Sequence, residues 1–219
     1  SSFTVDNYQT LKIAETVKET DQRIFVLVGG HHPSLCPEDF HHKAVDAIAV
    51  GEGEFSTLEL ADCLAAGDDP ALVSRLVLNL HEKQFYTARR PLIKDLDILP
   101  LPERSLTQAN RQNYHLLAPQ PVASVETTRG CPYRCRFCAV WKFYGGQVRY
   151  KSAQKVVEDV GNIKESKIFF TDDNFLSNEG HTREIIRLLH NRGIHKKFDI
   201  QARSDAIVKH PEIIAQLRN

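Results

Sequence analysis

The sequence contains no methionine in 219 residues, not even at its first position. Its opening residues read like the end of a strand and its closing ones like the inside of a helix, so a fragment cut at both ends is expected. It has no excess of charge of either sign: 28 Lys and Arg balance 28 Asp and Glu. That balance argues against a broad nucleic-acid-binding surface. No apolar run approaches the ~20 residues of a membrane-spanning helix. Cysteine is scarce and odd in number, five in all, with three of them in one short stretch. A disulfide framework does not fit that pattern, which points to a reducing compartment, taken as the cytoplasm. Cys36 and Cys63 stand apart and read as small buried residues. No Ser/His/Asp or paired-carboxylate arrangement stands out.

What is present is an alternation of apolar runs and amphipathic stretches. Residues 8–18 carry Leu11, Ala14 and Val17 at helical spacing. Residues 24–28 form an uninterrupted apolar run ending in Gly29 and Gly30. Residues 47–50 form another, closed by Gly51, Glu52, Gly53 and Glu54. Such runs read as strands buried on both faces, as in a parallel sheet. Residues 58–66 are helical with Gly67 as the stop, and residues 73–80 and 84–87 read as strands joined over Glu82 and Lys83. The pattern predicts an α/β fold. Residues 1–88 make the C-terminal part of a doubly wound, Rossmann-like domain with parallel crossovers. Residues 89–121, with Pro91, Pro100, Pro102, Pro119 and Pro121, read as a linker packed on the surface. Residues 122–219 hold three βα units. Their strands are predicted at 122–128, 167–171 and 197–202, and their helices at 152–163, 181–192 and 211–217. Ser152 caps the first helix, Gly193 ends the second and Pro211 opens the third.

Between the first of these strands and its helix lies a loop in which Cys131, Cys135 and Cys138 stand at Cys-x-x-x-Cys-x-x-Cys spacing. A [4Fe–4S] cluster has four irons and normally takes four thiolates. Three thiolates leave one iron open, as a catalytic metal requires. The competing account is a structural zinc site, which usually joins two Cys or Cys/His pairs; no second pair stands within reach. The spacing resembles the radical S-adenosylmethionine (radical SAM) superfamily, with Phe137 in place of the aromatic residue that usually precedes the last cysteine.

The resemblance implies a partial TIM-like barrel, of which the three βα units are half. It implies that Cys131, Cys135 and Cys138 ligate a [4Fe–4S] cluster, that SAM chelates the open iron, and that Phe137 lies near the adenine. Asp172 and Asp173 fall where many relatives hold the SAM amino group through a Gly-Gly-Glu stretch, from which this sequence departs; strand-end acids capping the next loop are the alternative. Arg203 is placed for a SAM carboxylate or a substrate anion, or for a salt bridge to a neighbouring acid. All these positions follow strand ends, where parallel βα architectures gather their sites. Trp141, Phe143 and Tyr144 either line the cavity or pack beneath the loop.

The first half is similar to the cobalamin-binding domain that precedes many radical SAM barrels. Ser2 stands for that family's Ser-x-Leu element, with Thr4 in place of the leucine, followed by Gly29 and Gly30, then Gly51, Glu52 and Gly53. Glycine at a strand end lets backbone approach a flat ring or nucleotide tail, or simply makes a tight βα turn. His31, His32, His41 and His42 read as surface or turn residues rather than cobalt ligands. Together the resemblances imply a cobalamin-using enzyme that transfers a methyl group to an unactivated carbon, or oxidatively remodels one, on a small-molecule, lipid or tetrapyrrole-like substrate. Its electrons would come from a donor such as ferredoxin or flavodoxin. The alternative is a non-catalytic cobalamin- or zinc-binding module.

Overall fold

Ala47, Ile48 and Ala49 are buried on both faces, as an uninterrupted apolar run demands, and they form one of the two inner strands of the first sheet. The computed structural model describes residues 1–80, 82–116 and 118–218. The chain divides into two compact units, Ser1–Ile93 and Lys94–Asn219.

In the first unit, helix α1 (Asn7–Thr20) precedes β1 (Leu27–Gly29), the short helix α2 (His31–Leu35), a 3-10 turn (Pro37–Phe40), β2 (Ala47–Ala49), α3 (Glu54–Ala66), β3 (Leu76–Leu80) and β4 (Lys83–Tyr86). The strands pair in the order β1-β2-β3-β4. Only β1 and β2 are parallel; β3 and β4 run antiparallel. The β3–β4 hairpin is as expected, whereas the antiparallel pairing of β2 with β3 corrects the expected run of parallel crossovers. Val50 N–H bonds to the carbonyl of Arg75, so β3 starts where β2 stops instead of returning to its beginning. Alternation along β2 sends Ile48 into one core with Ala14, Phe40 and Val45, and Ala47 and Ala49 into another with Leu60 and Leu76. Helix α1 thus covers one face and α3 the other, the layering of a doubly wound domain.

The second unit contains β5 (His115–Leu116), β6 (Ala118–Val125), β7 (Thr128–Arg129), α4 (Val140–Phe143), β8 (Arg149–Tyr150), α5 (Ala153–Gly161), β9 (Lys167–Phe170), α6 (Glu179–Asn191), β10 (Lys197–Asp199), α7 (Ser204–Lys209) and α8 (Pro211–Arg218). The main sheet has the order β10-β9-β6-β5, with β6, β9 and β10 parallel. One core lies beneath it. Ala123 and Val125 of β6 and Ile168 and Phe170 of β9 meet Val156, Val157 and Val160 of α5, Ile185 and Leu189 of α6 and Ile213 of α8. Val122 and Ser124, alternating with them, stay out of that core. A parallel sheet with its crossover helices on one face is the wall of a βα barrel, here in part. Ser152 caps α5 as expected, its hydroxyl accepting from Lys155 N–H.

The proline-marked segment belongs to both units, dividing at residue 93. Beyond it the chain does more than link. Strand β6 begins at Ala118, ahead of the expected 122, and its start pairs antiparallel with β5 across a register shift, where prolines are tolerated. Arg104 forks onto the buried Asp159 of α5, and Arg111 Nε lies 2.6 Å from Glu165. Among the described residues, no helix is long and apolar enough to cross a membrane.

Candidate iron–sulfur site

Strand β6 ends at Val125, and the chain turns through Thr127 and Thr128 into the cysteine loop. Two short strands clasp that loop: β7 pairs with β8 through Thr128 opposite Tyr150 and Arg129 opposite Arg149. Gly130 enters the loop with φ +95°, and a Cβ there would stand 2.1 Å from the carbonyl oxygen of Gln147. Only glycine lets the two ends of the loop pass this closely.

All three loop cysteines are free thiols and half-buried. Burial pushes the Cys131 thiol up, the backbone N–H of Tyr133 opposes this, and Asp173, Cys138 and Cys135 push it further up. The charges that raise it place Asp173, Cys138 and Cys135 in the neighbourhood of Cys131. The loop backbone is tied independently of the sulfurs. The Cys135 carbonyl accepts from Cys138 N–H at 3.1 Å and from Trp141 Nε1 at 3.2 Å. Arg203 reaches in from the loop after β10. Its Nη1 lies 3.8 Å from Cys135 Sγ, and its guanidinium sits 3.9 Å over the Tyr133 ring. Three unbridged thiols on one loop, with a cation beside one, fit a cluster held by three thiolates.

The other predicted residues divide. Asp172 is 1% exposed, and both carboxylate oxygens are engaged: Oδ1 accepts from Thr127 N–H and Thr128 N–H, each at 2.7 Å, and Oδ2 from Thr127 Oγ1 at 2.7 Å. Its carboxylate is a brace between the end of β9 and the chain leading into the cysteine loop. Asp173 braces the next step, accepting from Gly130 N–H at 3.2 Å, and it adjoins Cys131. Arg203 forks onto Asp205 at 3.0 and 2.9 Å while touching Cys135. Phe137 is 93% exposed at the loop surface. The aromatic run mostly packs: Phe143 meets Tyr144 edge to face at 4.7 Å, and Arg149 lies over Tyr144 at 5.2 Å.

In the first unit, Ser2 lies directly against the glycine pair. Its N–H bonds Gly29 O at 2.7 Å, and a Cβ on Gly30 (φ +114°) would stand 2.8 Å from Ser2 N. The Ser2 hydroxyl faces inward, donating to Phe3 O and accepting from Thr10 Oγ1. Glu52 is also engaged internally, its Oε2 accepting from Ile93 N–H at 2.7 Å. Gly53 caps α3, its carbonyl accepting from Thr57 N–H. Sequence reading passed over Ser34, whose hydroxyl donates to Gly30 O at 2.6 Å and accepts from Gly51 N–H at 2.8 Å. One serine therefore locks both glycine turns together; its only advance signal was its place four residues after Gly30. Gly51 has φ +81°, and a Cβ would stand 2.0 Å from Arg75 Nη1. Gly51→Ala is expected to lower stability by about 1–2 kcal/mol, from left-handed strain and displacement of that guanidinium. A shift of the urea midpoint at unchanged slope measures it.

The profile of the radical SAM superfamily matches residues 125–219. The chain is 32% identical to the hopanoid C-3 methylase of Methylococcus capsulatus, over 94% of this chain and 39% of that protein. It is 28% identical to an uncharacterized methyltransferase of Pyrococcus horikoshii, over 90% of this chain and 43% of that one. The chain thus spans about two fifths of the length of these relatives. Its fold is similar to that of OxsB, a cobalamin-dependent S-adenosylmethionine radical enzyme solved with aqua-cobalamin and S-adenosylmethionine bound. The TM-score is 0.75 at 19% identity, over 97% of this chain and 32% of that one. On the cysteine loop and the family match, residues 125–219 of this chain belong to the radical SAM superfamily.

Proposed function

We propose that this chain is part of a cobalamin-using radical SAM methyltransferase acting on an unactivated carbon of a small-molecule or lipid substrate. The observation that carries the proposal is that Cys131, Cys135 and Cys138 are free thiols, at Cys-x-x-x-Cys-x-x-Cys spacing, in the loop that follows the parallel strand β6. In this reading the three thiolates hold the [4Fe–4S] cluster and leave one iron to SAM. When bound, cluster and SAM supply one-electron cleavage to a 5′-deoxyadenosyl radical, and cobalamin carries the methyl group.

The protein's part is to bind, orient and exclude water. Phe137, exposed beside Cys138, offers its face to the adenine. Asp173, adjoining Cys131, is the better placed of the two acids for the SAM amino group, because Asp172 is engaged on both oxygens. Arg203 keeps positive charge beside Cys135, where an anionic cluster or a SAM carboxylate would sit. In the first unit, the backbone of Gly29, Gly30, Gly51 and Gly53 supplies the close approach for cobalamin. Ser2 and Glu52 shape that edge from within and do not present their side chains to it. Methyl transfer is favoured over other radical chemistry by the two methyltransferase relatives. The electron donor would be a ferredoxin or flavodoxin, and the compartment a reducing cytoplasm.

Anaerobic reconstitution of the full-length protein tests this. About four irons per chain, a corrinoid absorbance and 5′-deoxyadenosine formed from SAM under reduction are expected. Zinc in place of iron on the cysteine loop, with no nucleoside product, would replace the enzyme with the non-catalytic module.

A further inference from the structure

The first unit holds a second set of metal donors, remote in sequence from the cysteine loop. His32 lies on α2, and Cys36, four residues on at the end of that helix, falls on the same face. Asp39 follows in the 3-10 turn Pro37–Phe40. One ligand atom from each of His32, Cys36 and Asp39 lies within 4.8 Å of the others. His32 Nε2 is 3.0 Å from Asp39 Oδ2.

The surroundings fix this geometry. Cys36 N–H bonds His32 O at 2.9 Å, and Asp39 N–H bonds Cys36 O at 3.2 Å, so backbone hydrogen bonds set the donor spacing. The other ring nitrogen of His32, Nδ1, is 3.1 Å from Thr4 Oγ1, and the Phe40 ring packs edge-on at 5.5 Å. A metal-ligating histidine characteristically engages its second nitrogen in this way, which fixes the tautomer and ring orientation. The His32 side chain is 11% exposed and that of Asp39 47%, so the cluster is walled on one side and open to solvent on the other.

We propose that His32, Cys36 and Asp39 form a binding site for a divalent transition metal of the zinc class. One imidazole nitrogen, one thiolate and one carboxylate oxygen match the ligand types of zinc and disfavour magnesium and calcium, which take oxygen shells. Three protein ligands leave a fourth position to water. Uptake releases the Cys36 thiol proton to solvent. The bound metal would staple α2 to the turn after it, immediately beyond the Gly29–Gly30 pair, and through Thr4 would restrain the segment that carries Ser2.

The test must keep the metal off the cluster loop. In full-length protein carrying Cys131→Ser, Cys135→Ser and Cys138→Ser, Co²⁺ is titrated as a spectroscopic stand-in for zinc. One equivalent is expected to bind with a thiolate-to-cobalt charge-transfer band, and Zn²⁺ should bleach it. Adding Cys36→Ser or His32→Gln should remove the band, Thr4→Ala should weaken affinity about 10–100-fold, and Cys63→Ser should change nothing. In parallel, cluster-loaded wild-type protein is expected to retain one zinc per chain beyond its iron, and the Cys36→Ser protein none. A band that survives Cys36→Ser, or a loaded wild-type protein that takes up no zinc, overturns the site.

Discussion

Cys135→Ala is expected to lose the cluster and leave the protein folded. The two bonds at this position that order the loop use the Cys135 carbonyl, which accepts from Cys138 N–H and Trp141 Nε1; the substitution spares it. What goes is the sulfur, with its contact to Arg203 Nη1 at 3.8 Å. Removing a half-buried thiol from an apo loop should cost no more than about 1 kcal/mol. The loss of function should be complete, because two thiolates of one loop cannot hold a cube that normally takes four. Iron per chain after anaerobic reconstitution should fall from about four to near zero, and 5′-deoxyadenosine should vanish with it, while the urea midpoint of the apo protein barely moves. Cys63→Ala, at a cysteine outside the loop, should match the parent in both assays. Full iron content and nucleoside formation in Cys135→Ala would reject the ligand assignment.

The parts legible in the sequence are those whose cause is local. The Cys-x-x-x-Cys-x-x-Cys spacing, the glycine pair ending an apolar run, Ser152 as a cap and Pro211 at the start of α8 each need only a few neighbours to be read. Long-range pairing was not legible. The antiparallel direction of β3 is set by its partner β2, some 28 residues earlier, and not by its own alternation. Strands predicted to 128 and 202 stop at Val125 and Asp199 because the chain then takes other partners. Thr127 and Thr128 turn to Asp172, and the carbonyl of Gln201 accepts from Phe175 N–H. The clasp of β7 on β8 joins two-residue pieces too short to carry a period. Pro119 and Pro121 read as breakers, yet β6 contains them, because its start lies against an irregular two-residue strand. At the site, spacing alone singled out the three cysteines, whereas the division of labour between Asp172 and Asp173 depended on which of two adjacent carboxylates turned inward.

That inward turn makes Asp172→Ala the second large effect expected. Alanine would leave Thr127 N–H, Thr128 N–H and Thr127 Oγ1 without their acceptor in fully buried surroundings. Each orphaned donor costs about 1–3 kcal/mol. Against this, the wild-type carboxylate is itself strained. Burial pushes its pKa from an ordinary 3.8 up to about 6, although the Thr127 and Thr128 donors pull the other way. At 1.36 kcal/mol per tenfold step, holding it ionised at neutral pH costs about 3 kcal/mol. Because the folded pKa is the higher one, this contribution favours the fold below pH 4 and is lost as pH rises through about 6. Asparagine separates the two effects. Its amide oxygen keeps both backbone donors, its NH₂ can donate to a rotated Thr127 hydroxyl, and it carries no charge. Asp172→Ala is therefore expected to be about 2–4 kcal/mol less stable than the parent at pH 7 and to load iron poorly, since Gly130 and Cys131 follow directly from the loosened threonines. Asp172→Asn should be at least as stable as the parent at pH 7 and should lack the parent's loss of stability between pH 4 and 6. Urea unfolding of the three proteins at pH 4.5 and 7, with iron content alongside, decides it. Equal stability of the Ala and Asn proteins would mean that the three hydrogen bonds do not brace the cysteine loop.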